Sequence, residues 1–289
     1  QSNGTSFASN VDVSDSNSGT ITLTDTTDGT NILFSSAVTA DNFVTAAQGY
    51  NIFFNGDATF ANAVTFQNTG TLNLGGAGNT LTFNGGVTES TTGTVNINGA
   101  IVSSDDAISF GNIVIGQDLS VTSAGGAITT GTITAGSSFD VTITSSGGST
   151  NTVSVGAIGG SGNINTVAIT SGTLTTLNGN ITTNNSSGNS VTLAGTTTNG
   201  ANITIDTNNS SNDGAINIAS FSSSNNNLAL DSGGAEITLS GATFNLGSGS
   251  LTTTGDINLA ANVSVTATGG ITINDKIDAD SASSNDRTL

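Results

Sequence analysis

The sequence contains no cysteine, methionine, tryptophan, proline or histidine among its 289 residues. Without imidazole or thiolate groups, the chain has no histidine base, no cysteine nucleophile and no typical zinc, copper, haem or iron–sulfur site. Many bacterial surface proteins that cross two membranes avoid cysteine. We therefore expect an extracellular location, on the surface of a bacterial cell.

Positive charge is also scarce, because Lys276 and Arg287 are the only cationic side chains. With 20 acidic residues the net charge is −18, which argues against nucleic acid as a partner because phosphate binding needs many cations. The same charge favours solubility and repulsion from anionic membranes. No apolar run approaches the roughly 20 residues that span a bilayer, so we expect no membrane insertion. Gln1 follows no basic, apolar leader, as expected after signal removal or for a fragment of a longer protein.

Apolar residues, 34% of the chain, alternate with threonine, serine and asparagine instead of being evenly diluted. Alternation with period two places one set of side chains on each face of a strand. It is clear at residues 20–24, 118–122, 139–143, 203–206 and 263–267. No segment has the apolar stripe of an amphipathic helix. The sequence therefore predicts an ordered, all-β protein.

Similar segments recur at a nearly fixed spacing towards the C-terminus. Ile237, Ile257 and Ile277 are each 20 residues apart, and Ile216 precedes the first of them by 21. Such self-similarity is typical of solenoids, in which each repeat stacks on the last. We predict a single-stranded parallel β-helix (β-solenoid) with about 20 residues and three strands per coil. Roughly 13 to 14 coils, about 4.8 Å apart, would make a rod of about 60–65 Å.

Glycine doublets and Asn-Gly pairs mark the turns, because both residue types tolerate positive φ. Asn-Gly is also the strongest short signal for a β-hairpin, so an antiparallel meander is the alternative. The parallel stack is favoured because the distance between like segments repeats, whereas the distance across a single turn does not.

The sequence predicts one elongated solenoid over residues 1–289, whose apolar composition changes along the chain. Nine of the 12 phenylalanines lie at or before Phe110. The predicted sections are Phe-richer, less regular coils at 1–110, more regular Ile/Leu/Val coils at 111–275 and a polar C-terminal end at 276–289.

Asparagine- and serine-rich stretches predict exposed corners or loops at residues 184–189, 208–213 and 222–227. Irregular loops on a rigid scaffold are where recognition usually lies. Any binding surface is therefore expected to use these stretches.

Several segments resemble the repeats of known surface proteins. Residues 120–135, 255–263 and 268–273 resemble filamentous-haemagglutinin-type repeats, and residues 56–66 and 81–86 are similar to autotransporter passenger repeats. The resemblance covers nearly the whole chain. It implies a right-handed parallel β-helix exported to the cell surface, commonly for adhesion, aggregation or matrix formation.

The resulting expectation is a non-enzymatic structural or adhesive protein: a rod segment, or a subunit stacking head to tail in a surface filament or biofilm matrix. Lys276 and Arg287, both near the C-terminus, would then contact acidic groups of the next subunit. The alternative is a monomeric adhesin passenger that binds ligands on host or neighbouring cells.

Parallel β-helices also include polysaccharide-active enzymes. Asp105 and Asp106 form the only adjacent acidic pair, and paired carboxylates can hydrolyse glycosidic bonds. Neighbouring strand residues face opposite ways, however, so a solvated corner is the favoured interpretation and we expect no enzyme. Thr-x-Thr pairs suggest a further alternative, an ice-binding solenoid, although they are scattered irregularly at residues 22–24, 132–134, 142–144 and 252–254.

Calcium is the one plausible metal, because it accepts carboxylates, amides and carbonyls. Residues 75–83 and 159–167 resemble the calcium-binding Gly-Gly-x-Gly-x-Asp nonapeptide, but Thr80 and Ile164 replace its aspartate. The remaining candidates for a structural calcium site, with plain surface charge as the alternative, are Asp275, Asp278 and Asp280, grouped around Lys276.

Overall fold

The structure, a computed structural model, describes residues 4–15, 18–24, 27–90, 93–147, 151–160, 163–184, 188–209 and 213–279. These residues contain no helix, and 56% are strand, in parallel coils that stack as a β-solenoid of about 11 turns spaced about 22 residues apart. The predicted fold class is confirmed, with a longer mean repeat and fewer turns than expected. The strand registers described are parallel throughout, which excludes the antiparallel meander.

The chain divides into two compact units, one of residues 1–136 and 142–151, the other of residues 137–141 and 152–289. The predicted division into three sections of one solenoid stays a prediction.

The first unit builds its coils from three short strands each. Its strands are β1 (Thr5–Phe7), β2 (Val11–Asp12), β3 (Thr20–Leu23), β4 (Asn31–Phe34), β5 (Val38–Ala40), β6 (Asn42–Thr45), β7 (Asn51–Phe54), β8 (Ala58–Phe60), β9 (Val64–Phe66), β10 (Leu72–Leu74), β11 (Thr80–Phe83), β12 (Val87–Glu89), β13 (Val95–Ile97), β14 (Ala100–Ser103), β15 (Ile108–Phe110), β16 (Ile113–Ile115), β17 (Leu119–Ser123), β18 (Ile128–Thr130) and β19 (Ile133–Ala135). Every third strand pairs, so β1, β4, β7 and their successors form one stack, and the series starting at β2 and β3 form two others.

Inward side chains of the first unit pile into columns. Phe34, Phe54 and Leu74 occupy one register position in successive coils, and the rings of Phe34 and Phe54 stack with centroids 5.0 Å apart. Phe43 and Phe60, from the other two stacks, contact the same cluster. The phenylalanine-rich composition of the first 110 residues therefore builds an aromatic core, which offset and edge-to-face ring packing stabilises beyond simple burial.

The second unit uses longer strands. They are β20 (Phe139–Ser145), whose residues are shared with the first unit, β21 (Thr152–Val155), β22 (Ile164–Ser171), β23 (Leu174–Leu177), β24 (Ile181–Thr182), β25 (Asn189–Asn199), β26 (Ile203–Asp206), β27 (Ala215–Ser222), β28 (Leu228–Leu239), β29 (Thr243–Asn245), β30 (Leu251–Leu259), β31 (Ser264–Thr266), β32 (Ile271–Ile273) and β33 (Ile277–Asp278). β28 and β30 each run through a corner, where Gly233 has φ 57° and Gly255 has φ 122°. A side chain is disfavoured in that backbone region, so glycine lets one strand serve two faces.

The isoleucines spaced 20 to 21 residues apart are one inward column. Ile216 pairs with Ile237, Ile237 with Ile257, and Ile257 with Ile277. The first three are at most 3% exposed. The sequence period therefore reports coil stacking directly.

A buried carboxylate ties a corner of the first unit to the coil before it. Asp41 Oδ2 accepts hydrogen bonds from the backbone N–H groups of Asp15, at 2.9 Å, and Gly19, at 2.8 Å. These donors hold the pKa of Asp41 below its ordinary value, because hydrogen bonds to the charged form favour it. The stabilisation is therefore fully present above the unfolded-state pKa of about 3.9 and is lost as the pH falls through the lower folded-state pKa.

Replacing Asp41 by alanine should release this corner. We expect the Gly19 amide proton to exchange about tenfold faster at neutral pH, because it loses its acceptor, as measured by hydrogen–deuterium exchange. The matched control is Asp12→Ala, which removes an exposed carboxylate bonded to Ser14 and should leave Gly19 exchange unchanged. Equal exchange in both variants would contradict the assignment.

Candidate functional sites

The predicted C-terminal contact residue Lys276 forms an ion pair within its own chain. Its Nζ lies 2.8 Å from Asp256 Oδ2 of the preceding coil, and the two side chains are 68% and 44% exposed. The hydrogen bond to Asp256 raises the pKa of Lys276, with smaller effects from the charges of Asp278 and Asp275. Exposed ion pairs are weak and exchange partners readily. A contact of Lys276 with another subunit stays a prediction, and Arg287 lies outside the described residues.

The calcium candidates are only partly described. Asp275 Oδ2 accepts a hydrogen bond of 3.0 Å from the N–H of Gly255, and Asp278 is exposed in β33, whereas Asp280 lies outside the described residues. In the described part of the chain, no three acidic side chains group as a metal site would require. Structural calcium here stays a prediction.

The remaining sequence candidates lie at corners or in strands. Asp105 and Asp106 are exposed at the corner after β14, within hydrogen-bond distance of the Ser104 hydroxyl. In the two glycine-rich segments, Thr80 begins β11 and Ile164 is fully buried at the start of β22. These two positions therefore serve strand pairing and packing.

One asparagine-rich stretch is fully described, and it lies against the solenoid. Residues 222–227 form a mostly exposed corner between β27 and β28. Asn226 Nδ2 donates to the carbonyl of Asn199 at 2.9 Å, and Asn199 Nδ2 donates to the carbonyl of Asn227 at 2.9 Å. Residues 184–189 and 208–213 are described only in part.

The outward side chains of β26, β28 and β30, together with the residue that precedes each of these strands, form a polar surface that we call the amide face. Two rows cross it, and each row contains residues in register from successive coils. One row is Asn202, Asn227 and Ser250, which directly precede paired strand residues and are linked by hydrogen bonds. The other is Thr204, Ala229 and Thr252, with Asn180 beside Thr204.

A groove of about 360 Å³ lies on the amide face. Its row of threonines is interrupted by Ala229, which stands between Thr204 and Thr252. Because alanine lacks the hydroxyl and methyl groups of threonine, the row has a gap at this coil. The volume lies at the lower end of the ~300–1,000 Å³ typical of small-molecule sites.

The asparagines of the amide face have a fixed orientation. The Oδ1 atoms of Asn180, Asn202 and Asn227 accept hydrogen bonds of 2.9, 2.8 and 3.0 Å from the backbone N–H of Thr204, Asn227 and Ser250 in the next coil. Their Nδ2 groups make no hydrogen bond to a described residue. Each amide therefore keeps two donors available beside the groove.

Two carboxylates border the same face. Asp206 and Asp231 pair in register, two positions beyond Thr204 and Ala229. Asp206 Oδ1 accepts from the Asn208 N–H at 3.0 Å, and Asp231 Oδ1 accepts from Asn208 Nδ2 at 3.2 Å and from the Gly233 N–H at 3.1 Å. The face thus combines donors, hydroxyls and acceptors.

Sequence reasoning missed the amide face because its period is irregular. The hydrogen-bonded positions lie 24, 25 and 23 residues apart, whereas the predicted coil has about 20 residues. The signal that could have found it is the repeated Asn-Ile-Thr at 180–182 and 202–204.

The same face bears on ice binding, which needs regular threonine pairs on consecutive coils. Thr252 and Thr254 adjoin Ala229 and Asp231, so this pair has no threonine neighbour in the coil before it.

The described residues include no helix of the length and apolar character needed to cross a membrane. Comparison with protein-family models, with curated proteins and with solved structures finds no match.

Proposed function

We propose that this protein is a non-enzymatic structural or adhesive β-solenoid located outside a bacterial cell, where it forms part of a surface filament or matrix. The supporting observation is the stacking of parallel coils over a continuous inward column, as in Ile216, Ile237 and Ile257. In this column the backbone of each coil pairs with the next, and the side chains of Ile216, Ile237 and Ile257 are at most 3% exposed. Such a ladder resists local opening, because opening one rung breaks contacts with two others.

The surface supports the same proposal. Outward positions are mostly threonine, serine, asparagine and aspartate, and the net charge of −18 favours solubility. The resemblance to haemagglutinin-type and passenger repeats adds the expectation of export and adhesion. Adhesion by a monomeric passenger is the second candidate, favoured by the groove and the oriented amides of the amide face.

Localisation and attachment test the proposal together. Cells that produce the full-length protein are labelled with antibody against this chain without permeabilisation, and their aggregation and attachment are compared with those of a deletion strain. We expect surface labelling, and lower attachment after deletion. Labelling only after permeabilisation, with unchanged attachment, would overturn the proposal.

The filament form makes a separate prediction about the two cations. Purified protein should form regular fibres in electron micrographs, and Lys276→Ala with Arg287→Ala should shorten them and reduce their salt sensitivity, because interchain ion pairs are screened by salt. Lys276→Arg with Arg287→Lys keeps both charges and is the control. A monodisperse monomer in light scattering would support the passenger form instead.

A further inference from the structure

We infer that the amide face of the second unit is a binding site for a neutral polysaccharide, held across β26, β28 and β30. The inference rests on the proposed extracellular function in one respect: that location is where the protein would encounter the polysaccharide. It deepens that function by naming the chemical class of the partner.

The donors of the site are preorganised. Because the backbone of the next coil holds each Oδ1, the Nδ2 groups of Asn180, Asn202 and Asn227 are directed before any ligand arrives. Successive coils place Asn202 and Asn227 about 4.8 Å apart along the stack, and Asn180 lies beside Thr204, two positions further along the strand direction. Fixing donors in advance reduces the entropy lost on binding, and neutral amide donors suit hydroxyl oxygens.

The acceptors complete the match to a hydroxyl-rich ligand. Asp206 and Asp231 each use Oδ1 within the protein, and neither Oδ2 bonds to a described residue. A sugar hydroxyl both donates and accepts, so one ring could bond to a carboxylate and to an amide. Ala229 supplies a small apolar floor against which the C–H face of a ring can pack.

Charge selects against acidic ligands. Lys276 is the only cation among the described residues, and it is paired with Asp256, while the described lining of the groove is uncharged. An anionic polysaccharide would meet Asp206 and Asp231 together with the net charge of −18. Like charges repel over about 8 Å at physiological salt, so a neutral chain is favoured over a uronate or sulfated one.

The test uses affinity electrophoresis of the purified chain through native gels containing a neutral glucan, a neutral mannan or polygalacturonate. We expect retardation by at least one neutral polymer and none by polygalacturonate. Ala229→Thr continues the threonine row and fills the groove, so retardation should be lost. Asn202→Asp with Asn227→Asp keeps both backbone acceptors but removes the donors, and should weaken binding about 25-fold, or about fivefold per lost hydrogen bond.

Matched controls place the same changes on other faces of the second unit. Ala168→Thr alters an outward alanine that pairs with Thr192. Asn245→Asp alters an exposed asparagine whose Oδ1 likewise accepts a backbone hydrogen bond, of 2.9 Å, from Gly247. Both controls should bind as the unaltered protein does, and circular dichroism should show equal strand content in all variants.

Three results would overturn the inference: no retardation by either neutral polymer, stronger retardation by polygalacturonate, or unchanged binding by Ala229→Thr and the double asparagine variant. Failure of the proposed function looks different, because it would appear as absence from the cell surface with polysaccharide binding intact.

Discussion

Replacing Phe54 by alanine is expected to destabilise the first unit by about 3–5 kcal/mol, the usual cost of removing a buried phenylalanine. Phe54 is fully buried. Its ring centroid lies 5.0 Å from that of Phe34, 5.4 Å from Phe43 and 5.8 Å from Phe60. Rungs above and below hold the backbone in place, so the cavity cannot collapse easily. Loss of the ring therefore removes contacts with three other rings.

The single tyrosine of the sequence reports on this unit. Tyr50 is fully buried, and its hydroxyl accepts from the Ala46 N–H at 2.9 Å and donates to the Leu23 carbonyl at 3.1 Å. Its fluorescence in a urea titration should follow unfolding of the surrounding coils. We expect the midpoint to fall markedly in the Phe54→Ala variant.

The adjacent residue is the matched control. Phe53 faces outward and is partly exposed, so Phe53→Ala should cost about 1 kcal/mol or less, the range of a cross-strand surface pair. A cost at Phe53 as large as that at Phe54, or larger, would contradict the register. A slip of one residue would place Phe53 inward and Phe54 outward.

The inward column of the second unit could be predicted because its signal is local and repeated. Ile237, Ile257 and Ile277 recur at one spacing, and the first two each begin a short alternating segment. Core packing constrains Ile237 and Ile257, which are at most 3% exposed, and leaves few side chains that fit. Three strands per coil also followed, since alternation and glycine corners recur within each repeat.

The amide face could not be predicted, because its geometry depends on registers that vary from coil to coil. The number of residues in a corner can differ between coils without disturbing the core. Outward positions such as Asn202 and Asn227 therefore do not recur at a fixed spacing in the sequence. Nothing in the sequence marks Ala229 as special, because its role depends on its neighbours in the two adjacent coils, which are both threonines. For residues 222–227, the one fully described asparagine-rich stretch, the structure has the expected exposed corner, but its hydrogen bonds to Asn199 could not be read from the sequence, because they depend on the same registers.

Replacing Phe244 by aspartate is expected to unfold the surrounding coils of the second unit. Phe244 is fully buried, stacks on Phe221 with centroids 6.1 Å apart and pairs in register with Val265. The change loses the packing of the ring, about 3–5 kcal/mol, and adds several kcal/mol for a buried, unpaired carboxylate. Hydrogen–deuterium exchange should show lost protection in β27, β29 and β31.

The pH dependence of that loss identifies its cause. Burial raises the pKa of the introduced carboxyl above its unfolded value, so the folded variant binds a proton more tightly than the unfolded chain. The loss in free energy of unfolding, relative to the unaltered protein, should therefore be greatest above the folded-state pKa of this carboxyl. It should shrink as the pH falls towards about 4. Asn245→Asp adds the same charge to the exposed neighbour. It should leave hydrogen–deuterium exchange in the surrounding strands, and the pH dependence of that exchange, as in the unaltered protein. A deficit in Phe244→Asp that is independent of pH would mean that the introduced side chain reaches solvent, and that position 244 does not face the core.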